Sequence, residues 1–212
     1  MALYDNMLYN IGMKLETCDT IVFTDIHGQA SRLEPVLKYY GSDIRKISAG
    51  DGLDGGDSRA VMDLFGEYNV MQLLGNHEVV ALGAMQETDQ VIRDIWQSGW
   101  RHQPSQRYRY ERNTLSSYGI DEKLTNTQAA EALHDKMRYL GHIGLLNQAQ
   151  VYYETDDYIV VHAGLTDESW SHQRNRLDTY YDQTRHMSYM SVPNQIMDYD
   201  FSLSSAEQAS GE

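Results

Sequence analysis

The chain has one cysteine, Cys18, in 212 residues, so a disulfide framework is excluded. A lone thiol suits a reducing compartment, and the cytoplasm is the expected location. Nothing beside Cys18 lowers a thiol pKa, so packing next to a strand is its expected role. Three prolines and 16 aperiodic glycines exclude collagen-like and low-complexity architectures. No apolar run approaches the roughly 20 residues of a membrane-spanning helix. The stretch MALYDNMLYNIGMKLETCD lacks the basic start and apolar centre of a secretory signal. Basic residues are scarce too: 17 Lys and Arg face 31 Asp and Glu, a net charge of −14. Such a surface is not expected to bind nucleic-acid phosphates or an anionic membrane.

Apolar material is sufficient. At 41% hydrophobic residues, 1–212 reads as one domain with one sizeable core. The run at 20–24 (TIVFT) is β-branched and aromatic, and reads as a buried strand. Leu33, Val36, Leu37 and Tyr40 have helical spacing. Strands follow at 44–49 and 70–74, separated by a helix that Ser58 is expected to cap. Helices are expected over 78–85, 88–96 and 127–140, and a hairpin over 151–161. The segment 97–124 is polar and rich in Arg and Tyr and is expected to be a loop or cap insertion, and 86–140 reads as a helical cap insertion. Residues 167–212 form a polar, Tyr-rich C-terminal segment without a strand pattern. Strands alternating with helices give an α/β core.

Four strand ends carry chemistry. The first runs into Asp25-Ile26-His27-Gly28, the second into Gly50-Asp51-Gly52-Leu53-Asp54-Gly55-Gly56. The third runs into Gly75-Asn76-His77-Glu78, the last into Val161-His162-Ala163-Gly164. Ligands of open α/β sheets bind at the carboxyl ends of strands. Carboxylates, an amide and imidazoles gathered there suit a divalent cation. One such fragment is commonly a turn or a capping residue. Four in order, each directly after a strand, point to a metal site.

This set resembles the calcineurin-like metallophosphoesterases. Within them it is most similar to the phosphoprotein phosphatase branch, which includes bacterial and phage serine/threonine phosphatases and symmetrical diadenosine tetraphosphatases. The likeness spans roughly residues 20 to 166. It implies a β-sandwich flanked by helices (αββα) and two divalent ions. Asp25, His27 and Asp51 would hold the first ion. Asp51 would bridge to the second, held also by Asn76 and His162. His77 would protonate the leaving oxygen, with Asp54 orienting its ring. Two ions about 3.5–4 Å apart can clamp an in-line displacement at phosphorus and activate water. Manganese is the expected metal, while iron, zinc and nickel accept the same mixed donors.

The chain departs from the family pattern twice. Gly55 and Leu74 stand where arginines usually grip phosphate, a role that needs a bidentate cation. Arg59, Arg101, Arg107, Arg109 and Arg112 are the candidate replacements. No Gly-His-Thr strand follows His162, so the second sheet is expected to be incomplete, with His172 or His186 as substitutes. The expected function is metal-dependent phosphoester hydrolysis on a phosphorylated protein or a small molecule. Two other readings stay open: a dinucleoside polyphosphate or nucleotide hydrolase, and a degenerate binding module without turnover.

Overall fold

A computed structural model describes residues 19–86, 110–121, 123–162 and 164–186. The elements are β1 (Thr20–Phe23), α1 (Ala30–Tyr40), β2 (Arg45–Ser48), α2 (Ser58–Glu67), β3 (Met71–Gln72) and α3 (Asn76–Gln86). They continue as α4 (Tyr110–Ser117), α5 (Asn126–Tyr139), α6 (His142–Gln148), β4 (Tyr152–Glu154), β5 (Ile159–Val161) and α7 (Trp170–His186).

Strands β1, β2 and β3 form a parallel sheet in that order, with Phe23 opposite Ser48 and Ser48 opposite Gln72. Parallel order follows from the helical crossovers α1 and α2 between successive strands. Helix α1 buries Leu33 and Leu37, and α2 buries Val61, Met62, Leu64 and Phe65. A fully buried leucine or phenylalanine contributes about 1.5–3 kcal/mol, so these helix faces hold the sheet's outer layer. The same hydrophobic cluster takes in Leu115 and Tyr118 near α4, and Ala129, Ala130, Leu133 and Met137 of α5. The described part of 86–140 is therefore built into the main core.

Among the described residues the second sheet is small, the antiparallel pair β4–β5. A smaller cluster lies between the two sheets, formed by Ile47, Ala49, Leu73 and Val160. Arg45 of β2 reaches the Tyr153 hydroxyl of β4, with its guanidinium 5.5 Å from the ring centre. The α/β reading with a reduced second sheet holds.

Several boundaries differ from expectation. Asp57, not Ser58, caps α2, because its carboxylate accepts the Ala60 N–H at 3.0 Å. Ser58 is the first helical residue and is turned inward. Helix α3 starts at Asn76 rather than Glu78, which places the motif residues on a helical turn. A helix, α4, stands inside the polar stretch 97–124, expected to be a loop or cap insertion. The polar C-terminal segment contains α7, tied to β4 by Trp170 Nε1 on Glu154 (2.7 Å) and by Tyr152 and Arg174. The expected helix at 88–96, Cys18, Arg101, Arg107 and Arg109 lie outside the described residues.

Candidate metal centre

The loops after β1 and β2 are knitted together by backbone bonds that extend the sheet past its strands. Asp25 N–H donates to Gly50 O, His27 N–H to Asp51 O and Gly28 N–H to Gly52 O, at 3.2, 2.9 and 3.1 Å. The return bonds run from Gly56 N–H to His27 O and from Asp57 N–H to Gly28 O. This braid forces unusual backbone. Asp25, His27, Asp51 and Asp54 have φ of 53°, 44°, 55° and 56°. Asp and His enter this left-handed region more readily than most side chains, but each such residue costs about 1–3 kcal/mol. Four of them in one place mark a constrained functional site.

Asp51 is the centre. It is buried, and its Oδ1 accepts the His77 N–H at 3.2 Å. Its Oδ2 faces three imidazoles: Nε2 of His162 at 3.4 Å, of His77 at 3.7 Å and of His27 at 3.8 Å. These contacts exceed hydrogen-bond length. Burial and the nearby Glu78 carboxylate push the Asp51 pKa up to about 6, against the opposing pull of His77 and His162. A carboxylate strained in this way gains most from a cation beside it.

Each ring is held from behind. His27 Nδ1 donates to Asp54 O at 3.1 Å, and His162 Nδ1 donates to Ala49 O at 2.9 Å. A carbonyl only accepts, so both Nδ1 atoms carry the proton and both Nε2 atoms present a lone pair. His162 Nε2 then lies 3.0 Å from Asn76 Oδ1. A cation bound between them would satisfy both as acceptors. His27 Nε2 is also 3.8 Å from Asp25 Oδ1, on a carboxylate half open to solvent and steadied by the Thr24 hydroxyl. Bonds of about 2.1 Å to a metal set neighbouring donors roughly 3.0–3.5 Å apart. The spacings here are close to that, and the residues fit divalent ions.

His77 joins His27 and Asp51 in a set whose ligand atoms lie within 4.8 Å of one another. Its backing sets it apart, because Nδ1 donates to the Asp54 carboxylate at 2.9 Å rather than to a carbonyl. Burial alone would lower the His77 pKa. The Asp54 hydrogen bond and the Asp51 and Asp54 charges outweigh burial and raise it. This imidazole is suited to carrying a proton near neutral pH.

The structure thus brings together all seven residues read from the motifs: Asp25, His27, Asp51, Asp54, Asn76, His77 and His162. Among the described residues no other group of three or more His, Cys, Asp or Glu forms such a set. His172 is exposed on α7 and belongs to no such group. His142 is buried elsewhere, between the Tyr118 hydroxyl and Asp63.

Two functional residues escaped the sequence reading. Glu78 is buried and accepts three backbone N–H groups, from Asp51 and Gly75 on Oε2 and from Leu53 on Oε1, at 2.8, 3.0 and 2.9 Å. It locks the loops after β2 and β3 into one unit. A carboxylate in the first turn of a helix was a signal that could have found it. Thr114 of α4 donates to Asp54 Oδ1 at 2.7 Å. Nothing in its sequence neighbourhood signals this.

The two positions without arginine now have a reason. Gly55 has φ 120°, and a Cβ there would lie 2.5 Å from His27 O and 2.9 Å from His27 Cβ. The backbone admits no side chain. Leu74 is buried in the main core, where a guanidinium would lack solvent. Arg59 turns to Asp63 at 3.8 Å. Close packing recurs at Gly75, where an added Cβ would overlap the Asp51 carboxylate.

Comparison with curated proteins and with solved structures yields no match. The calcineurin-like phosphoesterase profile matches residues 19–199. That span takes in every loop that converges on Asp51. The donor set and the family match agree, and the chain belongs to the calcineurin-like phosphoesterase family.

Proposed function

We propose that this protein is a phosphoric monoester hydrolase of the serine/threonine phosphatase type, working with two divalent ions. The observation that carries this reading is the convergence of three imidazole Nε2 atoms on the single buried carboxylate of Asp51. Asp25, His27 and Asp51 would hold one ion, and Asp51, Asn76 and His162 the other, with manganese favoured. Bound ions supply Lewis-acid polarisation of the phosphoryl group and activation of the attacking water. His77 delivers a proton from Nε2 to the leaving oxygen, and Asp54 holds the ring and stabilises its charged form. The buried donors orient the reacting groups before substrate arrives.

The substrate is a phosphorylated protein or a small phosphoester. The side-chain-free Gly55 favours a second reading, a nucleotide or dinucleoside polyphosphate hydrolase, because no arginine grips the phosphate from that position. The charge of −14 supports partners other than nucleic acid or membranes, and the single Cys18 supports a cytoplasmic setting.

The test is p-nitrophenyl phosphate turnover with and without added Mn²⁺. Turnover should require metal and fall about 10²–10⁴-fold in His77→Asn. A panel of phosphopeptides and dinucleoside polyphosphates then separates the two readings. A folded, Mn²⁺-loaded protein with no turnover on any of them refutes both and leaves a binding module.

A further inference from the structure

The Asp54 carboxylate is 1% exposed, and its two oxygens have different partners. Oδ2 accepts the His77 Nδ1–H at 2.9 Å, and Oδ1 accepts the Thr114 hydroxyl proton at 2.7 Å. Thr114 Oγ1 also accepts the Asp54 backbone N–H at 3.2 Å. One hydroxyl therefore grips this aspartate at both its main chain and its side chain. The terminal torsion of an aspartate is broad and roughly two-fold. With Oδ2 alone engaged, the carboxylate plane is free to turn and the imidazole turns with it. The bond to Oδ1 removes that freedom.

The direction of each proton is determined. Asp54 as a carboxylate only accepts, so the single Thr114 proton goes to Oδ1. Ser58 Oγ, 2.9 Å from Thr114 Oγ1, must then donate to it. Thr114 and Ser58 are both fully buried. Thr114 is supported from its own helix, whose Ser117 Oγ accepts the Arg59 N–H, and by the adjoining Tyr118, whose hydroxyl meets His142 Nδ1 at 2.8 Å.

We propose that Thr114 is a positioning residue that fixes the plane of the Asp54 carboxylate and through it aims His77 Nε2 at the leaving oxygen. This rests on the acid role proposed for His77. A hydroxyl that only tied α4 to the core would affect all substrates equally. A residue aiming a proton donor matters most when the leaving group needs the proton.

The experiment compares wild type, Thr114→Val, Thr114→Ser and Ser58→Ala on p-nitrophenyl and phenyl phosphate, with Mn²⁺ added. Thr114→Val should lower kcat on phenyl phosphate by about ten- to a hundredfold, several times more than on p-nitrophenyl phosphate, with KM little moved. Thr114→Ser should recover most of the loss. The second readout needs no turnover: the His77 Nδ1–H proton resonance in metal-free, ¹⁵N-histidine-labelled protein. It should be sharp in wild type and Thr114→Ser, and broadened or lost in Thr114→Val. If Thr114→Val does not fold, Ser58→Ala decides, with a shifted or broadened His77 resonance expected. An unchanged resonance, or equal losses on both substrates, overturns the proposal. A wild type inert on every phosphoester overturns the hydrolase reading instead, while the resonance still decides whether Thr114 holds the pair.

Discussion

Asp51→Asn should stabilise the metal-free protein at neutral pH. Asp51 is buried beside Glu78, and its pKa stands at about 6 instead of 3.8. A carboxyl whose folded pKa lies above its unfolded value binds its proton more tightly in the folded state. Its stabilising contribution is complete below the unfolded pKa, fades as pH rises, and is gone above about 6. Above that pH the ionised group costs the fold on the order of 3 kcal/mol, taking about 1.4 kcal/mol per pH unit. Asparagine removes the charge and keeps an Oδ1 to accept the His77 N–H. The gain over wild type should therefore be about 3 kcal/mol at pH 7.5 and about 0.5 kcal/mol at pH 4. Metal narrows the gap. Mn²⁺ at a hundred times its Kd should stabilise wild type by about 2.7 kcal/mol and the variant far less. Urea denaturation from pH 4 to 8, in chelator and in Mn²⁺, measures both effects. A variant less stable than metal-free wild type at pH 7.5, or a gap independent of pH, refutes the reasoning. So does equal stabilisation of both proteins by Mn²⁺.

Other outcomes follow from the same geometry. Glu78→Gln places an amide NH₂ against backbone N–H groups that now find a carboxylate. It should cost about 2–3 kcal/mol in denaturant and weaken Mn²⁺ binding by calorimetry, and undiminished metal affinity would count against its locking role. Gly55→Arg restores the family's residue but not its function, because φ 120° and the nearby His27 oxygen oppose any side chain. Stability should drop by about 1–3 kcal/mol with no fall in KM for p-nitrophenyl phosphate. A clearly lower KM would show that the backbone adapts and that phosphate binding can be rebuilt there.

Short-range patterning explains much of what was legible. The TIVFT run, the spacing of Leu33 and Leu37, and the residues Val61, Leu64 and Phe65 are local signals for elements that bury one face. Boundaries were less so. Whether Asp57 or Ser58 caps α2 depends on Ser58 having a buried partner, Thr114, 56 residues away. Helix α4 has no apolar periodicity to mark it within the cap insertion, because its sequence, YERNTLSS, is polar. What buries it is contact with α2 and the core around Leu115 and Tyr118, a tertiary effect.

The residues that meet at the candidate site were legible from their places after strands. Asp25, His27, Asp51, Asp54, Asn76 and His77 follow the three strands of a parallel sheet, which brings its strand ends to one edge, while His162 follows β5 of the antiparallel pair. The sequence by itself could not determine which groups hold those donors in place, because that depends on approach between distant segments. Only the folded chain put the Glu78 carboxylate across three amides of two loops, and Thr114 behind Asp54. Only it showed Gly55 pressed against His27 O, where the twist of the loop leaves no room for a side chain. Chemical identity is written along the chain, while orientation, desolvation and steric exclusion arise when segments far apart in sequence are packed together.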